Sequence, residues 1–146
     1  SKNEAKITIS GIPDKPGISA KIFEIMSENN INVDMIVQNI SQDGIFANIT
    51  FTVSLKDLEF ASDLLKKRSK TLNFKSLSAD NKVAKISVIG MGMMSQSGVA
   101  EKMFKTLALN SINILAISTS EIKISVLIKK KYTELAVKSL HKVYKL

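Results

Sequence analysis

Ile112-Asn113-Ile114-Leu115-Ala116-Ile117-Ser118-Thr119-Ser120-Glu121-Ile122-Lys123-Ile124-Ser125-Val126-Leu127-Ile128 decides the reading of this chain. Ile122, Ile124, Val126 and Ile128 fall on alternate positions. Strand side chains point to opposite faces with period two, so the run predicts a strand with one buried face. Ser120-Glu121 separates it from the strand-like Ile117-Ser118-Thr119 and has the polarity of a tight turn. The stretch reads as a β-hairpin with polar groups at its mouth. A hairpin of the same design stands earlier, where Ile31-Asn32-Val33-Asp34 leads to Ile49, Phe51 and Val53. The chain therefore reads as two copies of one unit, with the hairpin in the middle of each.

The first copy opens with alternation over Ala5 to Ser10, with Ile7 and Ile9 on one side and Lys6, Thr8 and Ser10 on the other. Pro13, Pro16 and Gly17 mark a loop from Gly11 to Gly17 that holds Asp14. Ile18, Ile22, Ile25 and Met26 form one helical stripe, predicting a helix from Ile18 to Asn30. Strands follow over Ile31 to Ile40 and Ile45 to Ser54, joined by the turn Gln42-Asp43-Gly44. The third strand has Ile49, Phe51 and Val53 inward and Asn48, Thr50 and Thr52 outward. Leu58, Ala61 and Leu65 predict a helix from Asp57 to Leu72. Phe74 to Ala79 is a fourth strand, and Asp80-Asn81-Lys82 a turn. That order, β-α-β-β-α-β, is the ferredoxin-like or split βαβ pattern. Right-handed crossovers put both helices on one face of an antiparallel sheet, an α+β architecture.

The pattern then repeats. Ala84-Lys85-Ile86-Ser87-Val88 echoes Ala5-Lys6-Ile7-Thr8-Ile9, Gly90 echoes Gly11, and Ile112-Asn113 echoes Ile31-Asn32. Gly98 takes the place of Gly17 after a loop two residues longer than its counterpart. The helix from Val99 to Asn110 carries Val99, Met103 and Leu107, with Phe104 matching Phe23. Tyr132, Ala136, Leu140 and Val143 mark the last helix, Tyr132 to Tyr144. The boundaries expected are residues 5–81 and 82–146. The second copy has no room for a fourth strand, which is missing or supplied by another segment or chain. An open sheet edge invites pairing, so sheet-to-sheet association is expected.

Composition narrows the function classes. The 146 residues hold no cysteine, which removes disulfides and thiolate chemistry and is compatible with a cytoplasmic setting. No apolar run approaches the ~20 residues of a membrane span. Ser1-Lys2-Asn3-Glu4 is not a signal peptide and lacks an initiator Met, which suggests a processed chain or a fragment. The net charge of +8 is spread along the chain and reads as solvated helix faces and strand ends.

Catalytic chemistry finds no residue set. His141 lies mid-helix among lysines, no His or Cys cluster suits a metal, and Met91-Gly92-Met93-Met94 lacks the Gly-Lys-Ser/Thr ending of a phosphate loop. Asp14, Asp34 and Glu121 show no spacing that demands acid-base work. Ligand binding has more support. In each copy a Gly-containing loop delivers the chain to a helix start, at Gly17-Ile18 and Gly98-Val99. Free N–H groups there attract a carboxylate, and glycine permits close approach. The following strands carry Asn32, Asp34 and Gln38 in the first copy and Asn113, Thr119 and Ser120 in the second. A zwitterionic amino acid needs N–H donors for its carboxylate and oxygen acceptors for its ammonium, which Asp14, Asp34 and Glu121 can supply. Equally, the glycines can be plain turn formers and the asparagines helix-end groups.

Two stretches carry a resemblance. Asp14-Lys15-Pro16-Gly17 with Ile31-Asn32-Val33-Asp34-Met35-Ile36-Val37-Gln38-Asn39 resembles the first regulatory repeat of the aspartate kinase family. Gly90, Gly92-Met93, Ser95, Gly98-Val99-Ala100, Ile112-Asn113-Ile114 and Ser118-Thr119-Ser120-Glu121-Ile122-Lys123 resemble the second. These repeats are ACT domains, ferredoxin-like modules that bind amino acids. The resemblance covers nearly the whole chain and implies feedback inhibition by lysine and/or threonine in aspartate-family amino-acid biosynthesis. It implies one effector site at Ile12, Asp14, Gly17, Ser19 and Gln38, closed by Asn113 and Ile114 of the second repeat. It implies a pseudo-equivalent site at Met93, Ala100, Ser120 and Glu121, near Asp34. Ser41 aligns with a strand end where altered feedback is expected. The chain departs from the family at Gln96 and Met94, where His and a basic residue, in that order, are common, at Ala100, where some members have Thr, and at Asn48, where Asp is common. The first two bear on the specificity of the second site.

The resemblance further implies a homodimer joined through ACT sheet edges and a partner kinase domain or catalytic subunit. ATP and Mg belong to that kinase part, with no cofactor in this chain. Two rival readings are a tandem ACT sensor of another amino-acid enzyme and a ferredoxin-like RNA-binding protein. The second lacks stacking aromatics, since strand one offers Ile7 and Ile9 and strand three Thr50 and Thr52. Neither nucleic acid nor membrane is an expected partner.

Overall fold

The computed structural model describes residues 2–90 and 94–145. They form two compact units, Asn3–Asn81 and the stretch from Lys82 onward together with Lys2. The first contains β1 (Glu4–Pro13), α1 (Ile18–Glu28), β2 (Val33–Ile40), β3 (Phe46–Ser54), α2 (Leu58–Lys67), α3 (Ser69–Leu72) and the opening half of β4 (Ser76–Ile89). Its strands lie in the order β2-β3-β1-β4. β1 and β2 both run antiparallel to β3, so they point the same way and their C-terminal ends meet at one end of the sheet. Ile18, Ile22, Ile25 and Met26 of α1 share one core with Ala61 and Leu65 of α2 and with Ile7, Ile9, Ile49, Phe51 and Val53 of the sheet. The helices therefore cover the same face, as the stripes predict. Phe51 is fully buried and meets Phe23 edge to face, with ring centroids 5.4 Å apart.

The second unit holds the Val83–Ile89 part of β4, α4 (Gln96–Leu109), β5 (Ala116–Thr119), β6 (Lys123–Lys129) and α5 (Thr133–Tyr144), with strand order β4-β6-β5. Among the described residues the second unit has these three strands. Val99, Met103 and Leu107 of α4 and Ala136, Leu140 and Tyr144 of α5 pack on Ile86, Val88, Ile124, Val126 and Ile128. The internal echo extends to the helix ends. The Asn29 and Asn110 side chains each donate to the carbonyl four residues back, at 2.8 Å. Asn30 and Ser111 then take the left-handed conformation at φ 56° and 57°. This is how a helix satisfies its last carbonyls and turns into a strand.

Several expectations change. The strand predicted to end at Ser10 continues to Pro13 through a bulge between Ile9 and Ile12. The turn predicted at Asp80-Asn81-Lys82 is absent: β4 runs straight through from Ser76 to Ile89, its start laddered to β1. The helix predicted from Asp57 to Leu72 breaks at Arg68 into α2 and α3. Helix α4 starts at Gln96, three residues before Val99, because Ser95 caps it. The hairpin strand of the second unit begins at Ala116, leaving Ile112-Asn113 in the approach to it. Ile124 to Ile128 are all buried, so β6 is buried on both faces rather than on one. It is the central strand of its unit, and on its second face Ser125 bonds Ser87 at 2.7 Å while Leu127 sits between Lys85 and Ala116 in the ladder. Thr52, expected outward, is buried because its hydroxyl accepts the Met35 N–H at 2.9 Å.

Candidate functional site

In the first unit the C-terminal ends of β1 and β2 and the start of α1 come together. Gln38 and Ile9 flank Ile49 from either side, so with strands ~4.8 Å apart their backbones stand about 10 Å from each other. Both lie on the face that α1 covers, Ile9 in the core and Gln38 exposed at the sheet edge. Ile12 is buried opposite Ala47. Asp14 follows in the loop, exposed, with its N–H donating to the Ile45 carbonyl at 2.9 Å. Gly17 is the N-cap of α1 at φ 93°, a conformation that suits glycine, and gives the helix no side-chain cap. A Cβ placed on Gly17 meets nothing within 4 Å among the described residues, so the helix start faces open space there. Ser19 stands half-buried in the first turn.

Thus Ile12, Asp14, Gly17, Ser19 and Gln38 gather at one end of one unit. The uncapped N–H groups suit a carboxylate. The Asp14 carboxylate suits an ammonium, and the Gln38 amide both donates and accepts. Asp34 is not part of this group, because it lies at the start of β2, toward the opposite end of the sheet.

The second unit repeats the geometry with different chemistry. The Gly90 N–H donates to the Ile122 carbonyl at 2.9 Å, as Asp14 does to Ile45. The Ser120 N–H donates to Lys123 at 2.8 Å and closes the hairpin. A cavity of about 230 Å³ is lined by Val88, Gly90, Met94, Gln96, Val99 and Glu121, among others. The Gln96 amide donates to the Ser120 carbonyl across it. Ser120 and Glu121 are exposed, and Ala100 sits half-buried on α4. Met93 lies outside the described residues.

The expectation that Gly98 repeats Gly17 fails here. Gly98 lies inside the first turn, and its N–H is taken by the Ser95 hydroxyl at 3.1 Å. Asn113 and Ile114 are not at this end either. They line a separate groove of about 500 Å³ with Phe104, Ala108, Ser111 and Ile112. A matching groove of about 410 Å³ occurs in the first unit, among Phe23, Ser27, Asn30, Ile31, Asn32 and Val33.

Five contacts escaped the sequence reading. The Ser41 hydroxyl donates to the Asp43 carboxylate at 2.6 Å and the Ile45 N–H donates to it at 3.0 Å. Chiefly the Ser41 bond, then Ile45, holds the Asp43 carboxyl below its usual range. This tip fixes the Ile45 carbonyl that receives Asp14. The Lys75 ammonium lies 4.2 Å from the Phe46 ring centroid. The Asn48 carbonyl oxygen accepts the Gly11 N–H at 3.1 Å. Tyr144 donates its hydroxyl to the Val99 carbonyl at 2.6 Å, and burial raises its pKa. Polar side chains of this kind give no periodic signal. His141 is exposed, and among the described residues no group of acidic, His or Cys side chains can hold a metal. Among the described residues no helix is long and apolar enough to cross a membrane.

Comparison with known proteins fits this geometry. The ACT domain family profile matches residues 7–68 and 86–144. An aspartate kinase of Pseudomonas fluorescens is 48% identical over 99% of the chain and 35% of its own length. The chain spans about a third of the length of such relatives. The crystal structure of aspartokinase alpha and beta subunits superposes with TM-score 0.92 at 44% identity, covering 100% of this chain and 95% of that one. The ligand-free regulatory subunit of aspartate kinase from Thermus thermophilus gives TM-score 0.90 at 34% identity, covering 98% and 93%.

Proposed function

The chain belongs to the ACT domain family, as an aspartate kinase regulatory region, and from that premise we propose that it senses lysine and/or threonine and transmits feedback inhibition to a kinase domain or catalytic subunit. That partner supplies ATP and Mg chemistry. The observation that carries the reading is the end of the first unit, where Gly17 leaves a helix start open at the same end as Asp14 and Gln38. The effector carboxylate meets the helix N–H groups, and its ammonium meets Asp14 and the Gln38 amide oxygen. A second site uses the cavity beside Gln96, Ser120 and Glu121, with Ala100 on its helix wall. Asn113, Ile114 and Asp34 supply further walls when repeats associate edge to edge in a cytoplasmic homodimer.

Binding shifts the partner only as far as the effector prefers one arrangement of the repeats, typically ~1–3 kcal/mol. Titration calorimetry with L-lysine, L-threonine and both together tests the reading. Gln38→Ala is expected to weaken binding roughly tenfold, the effect of about 1.4 kcal/mol. A Gln38→Ala chain that binds both amino acids as the parent does removes the first site.

A further inference from the structure

We propose that Asn48 is a positioning residue for the first effector site, pinning the bulge that sets where Ile12 and Asp14 stand; this rests on the effector reading above. β1 carries one residue more than β3 between Ile9↔Ile49 and Ile12↔Ala47, so Ser10 and Gly11 together face Asn48. One extra residue reverses the alternation of everything after it. Ile7 and Ile9 point into the core. Without the bulge, Gly11 and Pro13 would follow them inward and Ile12 would face the other side. With it, Ile12 is 1% exposed, and Asp14 emerges at the loop with its N–H on Ile45.

The bulge is held from both flanks. On the β4 side the Lys75 N–H donates to the Ser10 carbonyl at 2.9 Å, and the Lys75 side chain lies over Gly11. On the β3 side the Asn48 side chain accepts the Gly11 N–H at 3.1 Å. That N–H takes its partner from a side chain where a regular ladder would use a backbone carbonyl. Asn48 is exposed and outside the core, so packing does not explain its contact. Its oxygen fixes the phase of the segment that delivers Asp14 and the loop to Gly17.

The test measures binding of L-lysine and of L-threonine to the whole chain, well below its unfolding temperature. Asn48→Ala removes the acceptor and is expected to weaken binding roughly three- to tenfold, the range one hydrogen bond supports. Asn48→Asp keeps an oxygen in place and is expected to retain parental affinity. Thr8→Ala removes another bond between the same strands, Thr8 to Thr50 at 3.1 Å, and is expected to leave affinity unchanged. Parental affinity in Asn48→Ala overturns the proposal, and so does equal weakening by Thr8→Ala. A parent chain that binds neither amino acid removes the effector reading itself and this proposal with it. Should Asn48→Ala not fold, the Gly11 amide of the unaltered chain decides: slow hydrogen exchange, slower still with effector, supports the proposal, and exchange at the free-chain rate overturns it.

Discussion

Gly11→Ala is expected to cost the first unit more than Gly17→Ala, although both glycines have positive φ. Gly11 is at φ 70° and Gly17 at φ 93°. An alanine in the left-handed region costs about 1–2 kcal/mol at either site. The surroundings then separate them. A Cβ on Gly11 would lie 2.7 Å from both Cγ and Cδ of Lys75 and 2.9 Å from its Cβ, whereas one on Gly17 meets nothing within 4 Å. Relief requires Lys75 to swing away and give up its place over the Phe46 ring, worth roughly 0.5–1 kcal/mol at an exposed site. The Lys75 Cβ, tied to its backbone, can retreat only if the chain moves. The sum for Gly11→Ala is about 1.5–3 kcal/mol, against about 1–2 for Gly17→Ala. For a unit of this size each kcal/mol moves the melting temperature by ~4–8 °C.

Urea unfolding followed by far-UV circular dichroism reads the difference. Adding Lys75→Ala should recover part of the Gly11→Ala loss, because the two closest contacts vanish while the Cβ contact stays. If Gly11→Ala proves no worse than Gly17→Ala, or Lys75→Ala recovers nothing, the packing of Lys75 over the bulge is refuted.

Ser62→Ala should be neutral or stabilising by up to about 1 kcal/mol in thermal unfolding, because the Ser62 hydroxyl is buried with no hydrogen-bond partner among the described residues and loses only its desolvation cost. Tyr144 should ionise above the ordinary tyrosine range, since burial raises its pKa. A pKa raised in the folded state gives stability that is fully present below the unfolded value near pH 10 and is lost as pH climbs through the folded value. Absorbance titration of the parent, which has two tyrosines, against Tyr144→Phe should show the high-pH component disappear.

The repeat, the helical stripes and the ferredoxin-like order were legible because each rests on apolar periodicity that the cores enforce. Ile18, Ile22, Ile25 and Met26 are all buried, as one stripe must be. Asp80-Asn81-Lys82 misled because its residues have turn chemistry, yet pairing overrode local preference and the strand passed through. Ser95 was a readable N-cap three residues before Gly98, but the match of Gly98 to Gly17 drew the helix start too late. Asp14, Gly17 and Gln38 share one sheet end because β1 and β2 run the same way, which the topology implies. The hold of Asn48 on Gly11 was illegible, since it needs a bulge whose register the residues do not spell out.

The unlike helix starts have a consequence for how the duplicated unit has aged. Ser95 fills with its own hydroxyl a donor at α4, whereas Gly17 offers nothing to occupy those at α1. A guest entering the later copy must displace an internal competitor or settle for other partners; one entering the earlier copy faces only water. The two helix starts are thus not interchangeable, and an anion that suits the open donors of α1 meets one already engaged at α4.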